Sequence, residues 1–136
     1  MALRLFMLLK DTPLSWDEFR RKAPKFSIAL DGYVNDGPLF DKAGPWANFN
    51  HHENVDRIAT RSTCAQVLIA IRQDLFECFT DGRGALANVY VNDCDEDVSL
   101  SWFLIKNYRL IENALNYKIT KLVSIEDLLD ATAGAY

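Results

Sequence analysis

"FSIALDGYVNDGPLFDKAGPWANFNHH", Phe26 to His52, decides the fold. It opens with an apolar run that stops at Asp31 and Gly32, crosses a turn-rich loop, and enters a second short run, Trp46 to Asn50, whose exit is the chain's only two histidines. Short near-continuous apolar runs bounded by Gly, Pro and Asn read as strands covered on both faces, the kind found in parallel sheets. Two such strands in succession, each ending in residues able to bind a ligand, set the frame for the rest of the chain.

Upstream, Leu3 to Leu9 is a further apolar run broken only by Arg4, and reads as a buried first strand. The segment "DTPLSWDEFRRK" then carries helix signals: Ser15 as N-cap, Asp17 and Glu18 in the first turn, Arg20 to Lys22 in the last, and Pro24 as the stop. Downstream, "TCAQVLIAIRQDLFECF" places Cys64, Leu68, Ile71, Leu75 and Phe79 at helical intervals, with Thr63 and Gln66 at capping-box spacing. "ALANVYVND", Ala85 to Asp93, reads as the fourth strand, and "SLSWFLIKNYRLIENAL" as a buried helix. A last helix fits within "TKLVSIEDLLDATAGAY". Strands alternating with helices predict an α/β fold, a mainly parallel sheet with helices on both faces, whose ligands bind beyond the carboxyl ends of the strands.

A length of 136 residues with 49% hydrophobic and 25% charged residues fits one domain, residues 1–136, able to bury a core. Whether this domain is complete or the N-terminal part of a longer protein stays open. A net charge of -4 supplies no basic footprint for duplex nucleic acid. Three widely spaced cysteines, Cys64, Cys78 and Cys94, do not make a disulfide framework and fit a reducing, cytoplasmic setting. No run is long enough to span a bilayer, so no membrane partner is expected. Without G-x-S-x-G, or a cysteine set beside the histidines by the sequence, nucleophilic catalysis has no support.

Asp31 follows the second strand, His51 and His52 the third, and Asp93 and Asp95 the fourth. In a parallel sheet these ends share an edge, so Asp31, His51 and Asp93 form a candidate ligand set for Mn²⁺, Fe²⁺ or Zn²⁺, one imidazole with two carboxylates. Adjacent residues leaving a strand point apart, so His51 is expected to hold the ion and His52 to do something else. Each residue also has a plain structural reading: Asp31 as a turn former, the histidines as surface loop, and "NDCDEDV" as a solvated loop with Asp97 capping the following helix.

"ALDG", "NFNHHENVDRIATRSTCAQVL" and "VYVNDCDED" together resemble the second, third and fourth motifs of the DHH phosphoesterase superfamily. The resemblance implies a Rossmann-like DHH-type domain that holds Mn²⁺ or another divalent metal and hydrolyses phosphoanhydride or phosphodiester bonds. It implies that Asp31, His51 and Asp93 are metal ligands and that His52 is a catalytic, phosphate-facing residue. Small phosphorylated ligands or short oligonucleotides are the partners it implies. Thr60, Ser62 and Thr63, at the helix start after the histidines, offer hydroxyls and N–H groups to a phosphate. Two differences separate the chain from the superfamily pattern. Asn50 stands where the triplet has Asp, and the acidic first motif is missing, since "MLLKDTPLSWDEF" offers only Asp11 and Asp17. These differences keep a second expectation alive: a non-catalytic DHH-like domain, with an eroded metal site, used for ligand binding or protein contact.

Overall fold

A computed structural model describes residues 1–9, 11–113 and 116–132. Its strands are β1 (Ala2–Met7), β2 (Ser27–Leu30), β3 (Leu39–Asp41), β4 (Trp46–Phe49), β5 (Thr80–Asp81) and β6 (Gly84–Val91). The helices are α1 (Trp16–Lys22), α2 (Thr63–Arg72), α3 (Leu75–Cys78), α4 (Glu96–Lys106), α5 (Tyr108–Glu112) and α6 (Tyr117–Ala131). The sheet runs β1-β6-β2-β4-β3, with β5 forming a hairpin on β6. β1, β6, β2 and β4 are mutually parallel, and only β3 and β5 run against their neighbours. The α/β, mostly parallel architecture expected from the alternation of elements is therefore present. Met7 pairs with Val91 and Leu30 with Phe49, so the carboxyl ends of the parallel strands share one edge.

Period-two alternation sorts the two faces. Ile28, Leu30, Ala47, Ala87, Val89 and Val91 face a large core with Val67, Leu68, Ile71, Leu104 and Ile105 of α2 and α4. Ala29 and Tyr90 face the other way, against Phe19 of α1, Tyr33 and Val34. Helices cover both faces unequally, because α1 alone has two turns to offer. Its Ser15 cap forms the full capping box with Glu18, and the helix ends before Pro24.

Three sequence expectations change. β1 is an edge strand with one neighbour, β6, and is not buried on both sides: Leu5, Met7, Leu8 and Leu9 are exposed. An apolar run signals a strand but carries no information on whether a second neighbour exists. The helix expected to continue to Phe79 ends at Arg72, because Asp74 takes a left-handed conformation at φ 64°. That turn redirects the chain and still buries Leu75, Phe76 and Phe79. Likewise the helix expected from Ser99 to Leu115 is divided at Asn107 into α4 and α5, and starts earlier, at Glu96 under an Asp95 cap. Ala114 and Leu115, and residues 133–136, lie outside the described residues.

Candidate metal centre

The strand exits are held in place by amides. Asn50 is fully buried. Its side-chain NH₂ donates to the carbonyls of Val34 (3.4 Å) and Asp36 (3.0 Å) and to Glu53 Oε2 (3.0 Å), while its Oδ1 accepts from the His52 N–H at 3.1 Å. Gln66 of α2 clamps the Asn50 backbone, donating to its carbonyl and accepting from its N–H. Asn48 adds two bonds to the Asp36 and Gly37 carbonyls. The triplet position read as an eroded acid is thus a structural amide, whose donors tie the 33–37 loop to β4.

This clamp delivers His51 into the interior, only 1% exposed. Its Nε2 lies 2.7 Å from Asp130 Oδ2, 3.5 Å from Asp97 Oδ2 and 3.6 Å from Asp31 Oδ1. Despite these approaches, neither His51 Nε2 nor Asp130 Oδ2 has a hydrogen-bond partner, and both atoms are buried. One such orphan costs about 1 to 3 kcal/mol, so two facing each other form a place where a shared cation or proton would lower the energy. His51, Asp97 and Asp130 bring one ligating atom each within 4.8 Å of one another, the spread expected around one ion.

Asp31 links this group to two others. With His51 and His52 it makes a second triad, and with Asp93 and Asp95 a third. His52 Nε2 sits 2.9 Å from Asp31 Oδ1, which also accepts from Thr63 Oγ1 at 2.9 Å. The two imidazoles do not diverge as expected from strand geometry: their rings are 4.3 Å apart and both face Asp31. The chain leaves β4 at Phe49, so the alternation of a strand no longer governs residues 51 and 52. His52 is half-exposed at the mouth of the site, and its pKa is raised by the hydrogen bond to Asp31. Asp93 is exposed and meets Asp31 through the acidic triad rather than in a group with His51.

The start of α2 is already occupied by the chain's own acids. Asp97 accepts from the N–H groups of Thr63 (3.0 Å) and Cys64 (2.7 Å). Asp127 accepts from the Ser62 N–H at 2.7 Å and from the Arg61 guanidinium at 3.3 Å. Ser62, not Thr63, is the N-cap, and Thr60 Oγ1 donates to the Asp56 carbonyl. The N–H groups and hydroxyls expected to receive a phosphate are therefore engaged internally.

Sequence reasoning missed Asp130 and assigned Asp97 to capping its own helix. Asp97 caps a helix, but α2 rather than α4. Burial works against its charge, yet the His51 imidazole and the Cys64 amide outweigh burial and hold the pKa down at about 2. Asp130 goes the other way, pushed up to about 6 by burial and by the neighbouring Asp97, with His51 opposing. The two carboxyls titrate as an interacting pair, with Asp97 the more readily ionised member. Compared with protein families, curated proteins and solved structures, this chain matches none.

Proposed function

We propose that this chain is a divalent-metal-dependent phosphohydrolase, a Rossmann-like domain of DHH type, with Mn²⁺ held by His51 Nε2 and the carboxylates of Asp97 and Asp130. The observation that carries this reading is the buried, unpartnered His51 Nε2 facing three acids at the carboxyl edge of a parallel sheet. One imidazole with carboxylates, and no thiolate, suits a harder divalent ion than a structural zinc site would. His51, Asp97 and Asp130 would hold a divalent ion, which would supply an acidified water and positive charge for the phosphoryl oxygens. Asp31 orients the half-exposed His52 at 2.9 Å and raises its pKa, which sets a proton-exchanging group at the mouth of the site, where a phosphoester from solvent would meet it. Asp31, Asp93 and Asp95 line the same edge. Small phosphorylated ligands and short oligonucleotides are the substrates this reading favours. No described helix is long and apolar enough to cross a membrane.

A second reading, a metal-binding domain without catalysis, is favoured by one observation: Asp97 and Asp127 already take the α2 N–H groups that would cradle a phosphate. Manganese electron paramagnetic resonance, alongside hydrolysis of bis-p-nitrophenyl phosphate, separates the two. The phosphohydrolase reading expects Mn²⁺ binding and turnover in the wild type, with His51→Ala weakening binding by about a hundredfold, roughly 2.7 kcal/mol. Binding without turnover of any phosphoester leaves the second reading. Equal binding by wild type and His51→Ala overturns both.

A further inference from the structure

The C-terminal helix meets the domain in two unlike halves. Its first half is anchored by apolar packing: Val123 is buried in the main core, Ile119 packs against that core, and Arg72 of α2 donates to Thr120 Oγ1 at 2.9 Å. After Val123 the pattern inverts. Ile125, Leu128 and Leu129 are exposed, and the residues turned toward the protein are Glu126, Asp127 and Asp130. These acids face the most acidic edge of the sheet: Glu126 feels the charges of Asp97, Glu96 and Asp95, and Asp130 those of Asp97 and Asp31. Arg61 and the Ser62 N–H compensate Asp127 alone.

Among the described side chains, no apolar residue of α6 after Val123 is buried, so the Asp127 bonds to Arg61 and the Ser62 N–H hold its last two turns while Glu126 and Asp130 face like charges. The helix also lacks a side-chain N-cap, and a segment of this length is marginal without tertiary support. What reverses the electrostatics is a cation at the point where His51 Nε2 and Asp130 Oδ2 confront each other unpartnered. Resting on the metal site proposed above, we infer that a divalent ion on His51 and Asp97 fastens the end of α6 to the domain through Asp130. Loading the ion would fasten the helix end over the site, and removing it would leave that end held by the Asp127 contacts alone. The ion thus ties together the exit of β4, the first turn of α4 and the last turn of α6.

Hydrogen exchange read by mass spectrometry on the full chain, with saturating Mn²⁺ or with EDTA, tests this. Mn²⁺ is expected to slow exchange across residues 127–132 at least tenfold, because opening the helix end then forfeits a metal ligand. Residues 119–123, anchored by the core, should change much less. Asp130→Asn, nearly isosteric, should bind Mn²⁺ more weakly and, when saturated, lose the added protection of residues 127–132. Mn²⁺ bound to the wild type with unchanged exchange at 127–132 overturns the inference and leaves the metal site standing. So does equal protection in Asp130→Asn. No Mn²⁺ binding by the wild type overturns both together.

Discussion

Asn50→Asp restores the residue that the DHH resemblance expects, and the structure predicts that it damages the protein. The buried NH₂ of Asn50 serves two backbone carbonyls and Glu53 Oε2. A carboxylate in its place has no donors, so the Val34 carbonyl loses its Asn50 partner at about 1 to 3 kcal/mol, while the Asp36 carbonyl keeps the Asn48 donor. The carboxylate also sets a second negative charge beside Glu53 Oε2, where the amide now sits at 3.0 Å. With the added charge the sum is about 2 to 4 kcal/mol, a large share of the 5 to 15 kcal/mol typical of a domain. Urea unfolding in EDTA should show a lower midpoint with unchanged slope. Asn50→Ala should cost less, the difference isolating the charge, and at pH 4 the Asp variant should recover part of its loss as the carboxyl protonates. The reasoning is refuted if Asn50→Asp unfolds within about 0.5 kcal/mol of wild type, or if it binds Mn²⁺ tenfold more tightly, since either result would make position 50 an eroded ligand.

The raised Asp130 carboxyl makes metal-free stability depend on pH. The folded state holds that proton more tightly than the unfolded chain, with the pKa moved from 3.8 to about 6, so stability falls as pH rises through that window. The loss is about 3 kcal/mol. Asp130→Asn should remove this contribution to the fall between about pH 4 and pH 6 in EDTA, and equal pH slopes for wild type and Asp130→Asn in that window would contradict the assignment. Burial pushes the Cys64 thiol up, while Cys94 is exposed. A thiol reagent at pH 8 should label Cys94 quickly and Cys64 only on unfolding, which mass mapping checks.

Much of this fold is legible because its central strands are short, apolar and closely bounded. "SIAL" and "NVYV" cannot be satisfied except between neighbours, and the residues after them must then gather at one edge. The edge position of β1 was hidden, since its composition is that of an interior strand. So was the break at Asp74, because left-handed Asp leaves the periodicity of Leu68, Ile71 and Leu75 intact. In the site, Asp31 and His51 could be found from their places after strands. Asp97 was masked by its helix-start context, since an acid in a first turn looks like a dipole partner or cap of its own helix. Asp130 left one signal in the sequence: Glu126, Asp127 and Asp130 share a face of α6 while Ile125, Leu128 and Leu129 lie away from it. Only the fold shows that the acidic face is the inner one.

That inversion bears on how the site is balanced. Among the described residues, Asp31, Asp93, Asp95, Asp97, Glu126, Asp127 and Asp130 crowd one end of the domain, contacted by the Arg61 guanidinium and the two imidazoles. Proteins tolerate such an excess when amide donors, protons or bound cations absorb it. Here Asp97 and Asp127 are absorbed by the α2 N-terminus, and Asp31 by Thr63 and His52. Asp95 accepts from the Val98 N–H and Asp93 is exposed, which leaves Glu126 and Asp130; of these Asp130 is held 2.7 Å from an imidazole nitrogen without a hydrogen bond between them. A divalent cation between them would satisfy both orphan atoms at once, so the proposed metal site and the proposed docking of α6 both draw on Asp130.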